Sequence, residues 1–129
     1  MSNKSKAKGT AAETKVVKFL AKFGIEAKRK VLTGSEDQGD IDAKTNIGDV
    51  ILEIKAGKQT ANPNRTQIQE WMHQTARESR NAHHPGFLVV VRYNRALKDA
   101  DVWWYGSPSA LVLNHAYLDD WCLKYKIRE

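Results

Sequence analysis

The sequence predicts an α/β domain with a mixed central β-sheet flanked by helices. Three observations carry this: helical periodicity over 10–23 and 65–82, apolar strand-like runs between and after those segments, and a reversing loop that joins two runs into a hairpin. With 129 residues, a single domain over 9–129 is expected, preceded by a flexible basic arm at 1–8.

Met1 to Lys8 is polar and lysine-rich, with no apolar periodicity, and as an arm it would track a phosphate backbone through Lys4, Lys6 and Lys8. Thr10 offers a helix N-cap, and Glu13 completes a T-x-x-E capping box. Val16, Val17, Leu20 and Phe23 follow at helical spacing, and Gly24 is a natural stop. Glu13 has two readings. It either closes the capping box or, preceding Val16, Val17 and Leu20 on the inward stripe, reaches the interior. Ile25 to Leu32 has strand composition, with Lys28, Arg29 and Lys30 on an edge or outward face, and Thr33 to Gln38 is a polar loop.

The stretch Gly39 to Lys55, GDIDAKTNIGDVILEIK, organises the rest. It reads as a hairpin turning through Lys44 to Asp49, whose Asn, Gly and Asp suit a reversing loop. Strand alternation places Asp40 and Asp42 on one face of the first strand and Ile51, Glu53 and Lys55 on one face of the second. The second strand is apolar apart from Glu53 and Lys55, as expected of a strand covered on both sides. A buried, ionised carboxylate pairs, binds metal or loses its charge. Two readings follow: an ion network that fixes strand register, or an oxygen-rich site for magnesium or manganese beside a lysine.

Ala56 to Thr66 is a polar loop in which Lys58 and Arg65 are placed to meet phosphates. Arg65 to Ala82 is a helix with its inner face at Ile68, Trp71, Met72, Thr75 and Ala76. His73, His83 and His84 cluster near its end, but adjacent histidines lack ligand spacing, so a solvated helix end is expected. Gly86 to Tyr93 is an apolar strand entering by a parallel crossover, and Val102 to Gly106 is a strand near an edge. Of Trp103 and Trp104, one fills the core and the other faces outward, free to stack on a base or join a dimer interface. A short apolar run, ALVLN, precedes a closing helix bearing Tyr117, Leu118, Trp121, Cys122 and Tyr125.

Lysine and arginine outnumber aspartate and glutamate 21 to 15, a formal charge of +6, which favours a polyanionic partner and nucleic acid first. Cys122 is the single cysteine, so intramolecular disulfides and cysteine-based zinc sites are excluded, and it is expected as a small buried side chain. Neither a signal peptide nor an apolar run of membrane-spanning length is found, so a cytoplasmic protein with no membrane partner is expected.

Three segments, KGTAAE at Lys8 to Glu13, DQGDI at Asp37 to Ile41 and ILEIKAGK at Ile51 to Lys58, resemble the phage-encoded Holliday junction resolvase-like proteins of the PD-(D/E)xK nuclease superfamily. The resemblance covers about the first half of the chain. It implies a restriction-endonuclease-like sandwich, a magnesium- or manganese-dependent DNA endonuclease acting on branched DNA in recombination, a homodimer, and the cytoplasm of a phage host. Asp40 and Glu53 would hold the metal, Glu13 would support it and Lys55 would assist the attacking water. The family match favours Asp40 in the G-D-I unit, and other superfamily branches favour the position of Asp42. Lys58, Arg65 and the arm would position DNA, with Gln67 or Gln69 as the helix glutamine near the scissile phosphate. The alternatives are another structure-selective or nicking nuclease and a DNA-binding accessory protein without catalysis.

Overall fold

The computed structural model describes residues 3–30, 38–107 and 110–128. Its elements, in chain order, are α1 (Asn3–Ala21), β1 (Ala27–Arg29), β2 (Ile41–Thr45), β3 (Gly48–Lys55), α2 (Arg65–Ala82), β4 (Gly86–Val90), β5 (Asp101–Ser107), β6 (Ala110–Tyr117) and α3 (Leu118–Tyr125). The six strands form one sheet in sequential order, antiparallel except for the parallel β3–β4 pair that the α2 crossover requires. This is the expected α/β sandwich with a mixed sheet.

The two faces of the sheet are covered differently. Ala12, Val16 and Leu20 of α1, with Leu118, Trp121, Cys122 and Tyr125 of α3, pack on Ile41, Ala43, Val50, Leu52, Ile54, Phe87, Val89 and Val102. Phe87 is the hub of this layer, with the rings of Trp104, Trp121 and Tyr125 within 5.2–5.6 Å of its own. On the opposite face, Trp71 and Met72 of α2 pack on Leu88 and Val90, with Trp103, Tyr105 and Leu113 against them. β3 therefore has apolar contacts on both sides, which explains its unbroken Val-Ile-Leu run. Burial puts Cys122 out of reach of solvent and pushes its thiol up to about 12, with Asp119 adding to the effect.

The β2–β3 turn is tighter than the expected loop, pairing Thr45 with Gly48. Thr45 Oγ1 donates to the Gly48 carbonyl at 2.8 Å and accepts from the Ile47 amide, and the positive φ of 100° at Gly48 is one that glycine adopts without strain. Asn46 anchors the turn to α3 by donating through its amide to Tyr125 O and through Nδ2 to Lys124 O.

Three expectations change. Helix α1 begins at Asn3, so backbone 3–8 is helical and Thr10 lies inside the helix, not at its N-cap. Lysine and alanine in this stretch are good helix formers, and continuation into a packed helix avoids a new nucleation step. The ALVLN run belongs to an eight-residue strand, β6, and β6 rather than β5 forms that edge of the sheet. Polar Asn114 and His115 obscured its alternation. Finally, neither adjacent tryptophan is fully outward: Trp104 joins the Phe87 layer and Trp103 the α2 layer. Among the described residues, no helix is long and apolar enough to cross a membrane.

Candidate active site

The candidate site lies where β2 begins and β3 ends, because the hairpin register sets Asp40 just outside the Ile41–Leu52 pair and beside Glu53. Asp40 leaves the ladder in a defined way. Its backbone N–H donates to Leu52 O at 3.0 Å, while its Oδ2 accepts from the Ile54 N–H at 2.8 Å, replacing a strand carbonyl. The carboxylate is thereby held near the sheet plane. Gly39, at a positive φ of 97°, allows the approach, since a Cβ there would stand 3.1 Å from Ile51 Cδ1.

Glu53 projects from β3 toward α2 and is 3% exposed. Its Oε2 lies 3.3 Å from Lys55 Nζ and accepts a hydrogen bond from Gln74 Nε2 at 3.3 Å. Gln74 also donates to Glu78 Oε2 at 3.2 Å. The Glu53 Oε1 atom is buried without a hydrogen-bond partner among the described residues. Burial raises the Glu53 pKa to about 7; the neighbouring Glu78 carboxyl and the Lys55 charge oppose that rise, and the Asp40 charge adds to it.

Glu13 approaches from α1. Burial raises its pKa, as does the charge of Asp40, and Arg29, whose Nε is 3.2 Å from Glu13 Oε1, opposes both. Asp40 thus acts electrostatically on Glu13 from one layer and on Glu53 from the other. Asp42 is engaged elsewhere, with its Oδ1 3.2 Å from Lys30 Nζ. The structure therefore brings Glu13, Asp40, Glu53 and Lys55 into one neighbourhood and leaves Asp42 in an ion pair one step along β2.

Among the described residues, no three His, Cys, Asp or Glu side chains stand close enough together to form a ready-made metal cage. Magnesium does not need one, since it keeps several waters and binds through one or two carboxylates plus substrate phosphate oxygens. Asp40 and Glu53 are hard oxygen donors of that number, and the orphaned buried Oε1 of Glu53 is an acceptor in need of a cation or a proton. The donor set fits magnesium or manganese.

The expected DNA contacts are scattered. Lys58 is exposed on the connection that leaves β3 and Arg65 is exposed at the start of α2, whereas the Lys4, Lys6 and Lys8 side chains lie outside the described set. Gln67 sits in the first turn of α2, where its amide is capped by Asn64 Oδ1 at 2.8 Å. The glutamine that meets Glu53 is Gln74, two turns further on, and it was missed along with Glu78. The signal for both was present: Glu78 falls seven residues after Trp71 and three after Thr75, a charge on the buried stripe, and Gln74 precedes it by one helical turn.

No protein-family model and no curated protein sequence matches this chain. Its fold is similar to that of Archaeoglobus fulgidus Hjc, a Holliday junction resolvase from an archaeal hyperthermophile, with a TM-score of 0.54 and 16% sequence identity over 92% of this chain and 94% of that one. The two share the restriction-endonuclease-like sandwich.

Proposed function

We infer that this chain is a metal-dependent DNA endonuclease that hydrolyses phosphodiester bonds at branched DNA, as a Holliday junction resolvase of the phage-encoded branch whose motifs it resembles. The observation that carries the inference is the buried Glu53 carboxylate, with an unpartnered oxygen, set between Asp40 and Lys55 at the end of β3. A nucleic-acid-binding module gains nothing from such an anionic corner, which repels phosphate unless a cation is present. The basic net charge and the fold shared with Hjc support the same reading.

In this account Asp40 and Glu53 hold magnesium or manganese, and Glu13 supports them through Asp40. The bound cation supplies positive charge that activates the attacking water and offsets charge on the leaving oxygen. Lys55, with its ammonium beside Glu53, orients that water on the side away from the leaving group. Gln74 fixes the Glu53 carboxylate by donating to it. Lys58, Arg65, Gln67 and the lysines of the first turns of α1 grip the backbone on either side. A resolvase cutting two symmetric strands works as a homodimer in the cytoplasm of the cell that holds the DNA.

The test is cleavage of a labelled four-way junction, with linear duplex and a flap as comparisons, in magnesium and in EDTA. Paired cuts in the junction arms that vanish with EDTA, and fall at least about 1,000-fold in Asp40→Asn and Glu53→Gln, are expected. Tight junction binding without cleavage in either metal points instead to an accessory protein. Equal cleavage of all substrates leaves a nuclease without junction selectivity.

A further inference from the structure

A second polar corner lies on the same face of the sheet as Glu53 and Lys55. Strand register aligns Lys55 with Val90, Val90 with Asp101 and Asp101 with Tyr117, one row across four strands. Residues in such a row project to the same side. Three strand spacings separate Lys55 from Tyr117, about 14 Å, the span of a few nucleotides. Tyr117, at this end of β6, is 50% exposed.

The corner is built rather than incidental. Asp101 is buried and accepts from Arg92 Nε through Oδ2 and from His115 Nε2, at 2.7 Å, through Oδ1. That pairing orients a guanidinium that stays 39% exposed and lies one residue past Val91, whose amide donates to Lys55 O. The His115 ring lies tilted against Trp103, with centroids 4.5 Å apart, and meets Tyr117 edge-on at 5.1 Å. A rigid cation beside a supported, exposed ring is the combination that holds a phosphate and the flat face of its base.

We propose that the Arg92–Asp101–His115–Tyr117 corner is a nucleotide subsite that takes one unpaired base of a DNA strand, stacking it on Tyr117 with its phosphate on Arg92. Asp101 and His115 are positioning residues, and Tyr117 and Arg92 touch the ligand. A base is free to enter only where pairing is broken, so the subsite selects branch points over continuous duplex. This rests on the reading of the protein as a DNA endonuclease.

The test is the affinity of the full chain, in EDTA so that no cleavage occurs, for a four-way junction and for linear duplex. Tyr117→Ala is expected to weaken junction binding about tenfold and leave duplex binding unchanged, with Tyr117→Phe restoring the wild-type value because the ring is what acts. In the unmutated protein, 5-iodouracil at the branch should photocrosslink to Tyr117 or His115. Junction binding by Tyr117→Ala equal to wild type, or crosslinks confined to other elements, overturns the subsite. Ring-dependent junction binding by a chain that cuts nothing in magnesium overturns the nuclease reading and leaves the subsite standing. Absence of DNA binding by the wild-type chain overturns both.

Discussion

Among the described residues, two strand carboxylates, Asp101 and Glu53, are buried on the α2 face of the sheet, and the protein treats them in opposite ways. Asp101 is matched on both oxygens, by Arg92 and by His115. Glu53 is matched on one, by Lys55 and Gln74, while its other oxygen has no hydrogen-bond partner among the described residues. Burial is nearly the same, with side chains 5% exposed in each case, so it does not account for the difference. Hydrogen bonding completes the first carboxylate, and only a cation or a proton completes the second.

The contrast can be sharpened by pH. Glu53 in the folded chain has its pKa raised from 4.5 to about 7, so the folded state binds that proton more tightly than the unfolded state does. In the metal-free protein its contribution is therefore neutral below about pH 4.5, and stability falls as pH rises from there to about 7. A shift of that size corresponds to about 3 kcal/mol. Urea denaturation in EDTA at pH 5 and pH 7.5 should show the loss in the wild-type chain and a much flatter profile in Glu53→Gln. An equal slope in both would mean that Glu53 is not the group responsible.

The next effect concerns Gln74, which donates to Glu53 Oε2. Replacing such an outer partner costs about 10- to 100-fold. Gln74→Leu is expected to lower junction cleavage by that factor with binding in EDTA unchanged. Cleavage at the wild-type rate would reduce Gln74 to a packing residue.

Asp101→Asn should produce the smallest change. It removes the charge from a completed network whose Arg92 can turn back to water, so about 1–2 kcal/mol of stability is expected to be lost. Thermal unfolding with and without magnesium checks this, and the loss should be the same in both conditions. A magnesium-dependent loss would place Asp101 in the metal site and erase the distinction between the two carboxylates.

Glu53 was legible in the sequence and Asp101 was not. Glu53 and Lys55 are two apart on one apolar strand, and their conflict with burial can be read locally. Asp40 needed only the hairpin register in addition. Alternation gives Asp40 and Asp42 the same face and the G-D-I resemblance favours Asp40; the structure adds that Lys30 engages Asp42 while Asp40 Oδ2 accepts from the Ile54 amide. Arg92, Asp101 and His115 come from three separate segments whose contact depends on the β4–β5–β6 order, and β6 itself was hidden by the polar residues within it. Gln74 and Glu78 were within reach, since a glutamate on an apolar helical stripe carries the same conflict as Glu53.

The central claim is that the incomplete carboxylate at Glu53 is a cation site shared with Asp40. Its most direct test is the melting temperature of the metal-free chain at pH 7.5, titrated with magnesium or manganese, for wild type, Glu53→Gln and Asp40→Asn. Binding confined to the folded state should raise the wild-type value by several degrees at saturating metal and leave both variants nearly unmoved. A rise of the same size in all three, or none in the wild-type chain, would contradict the claim.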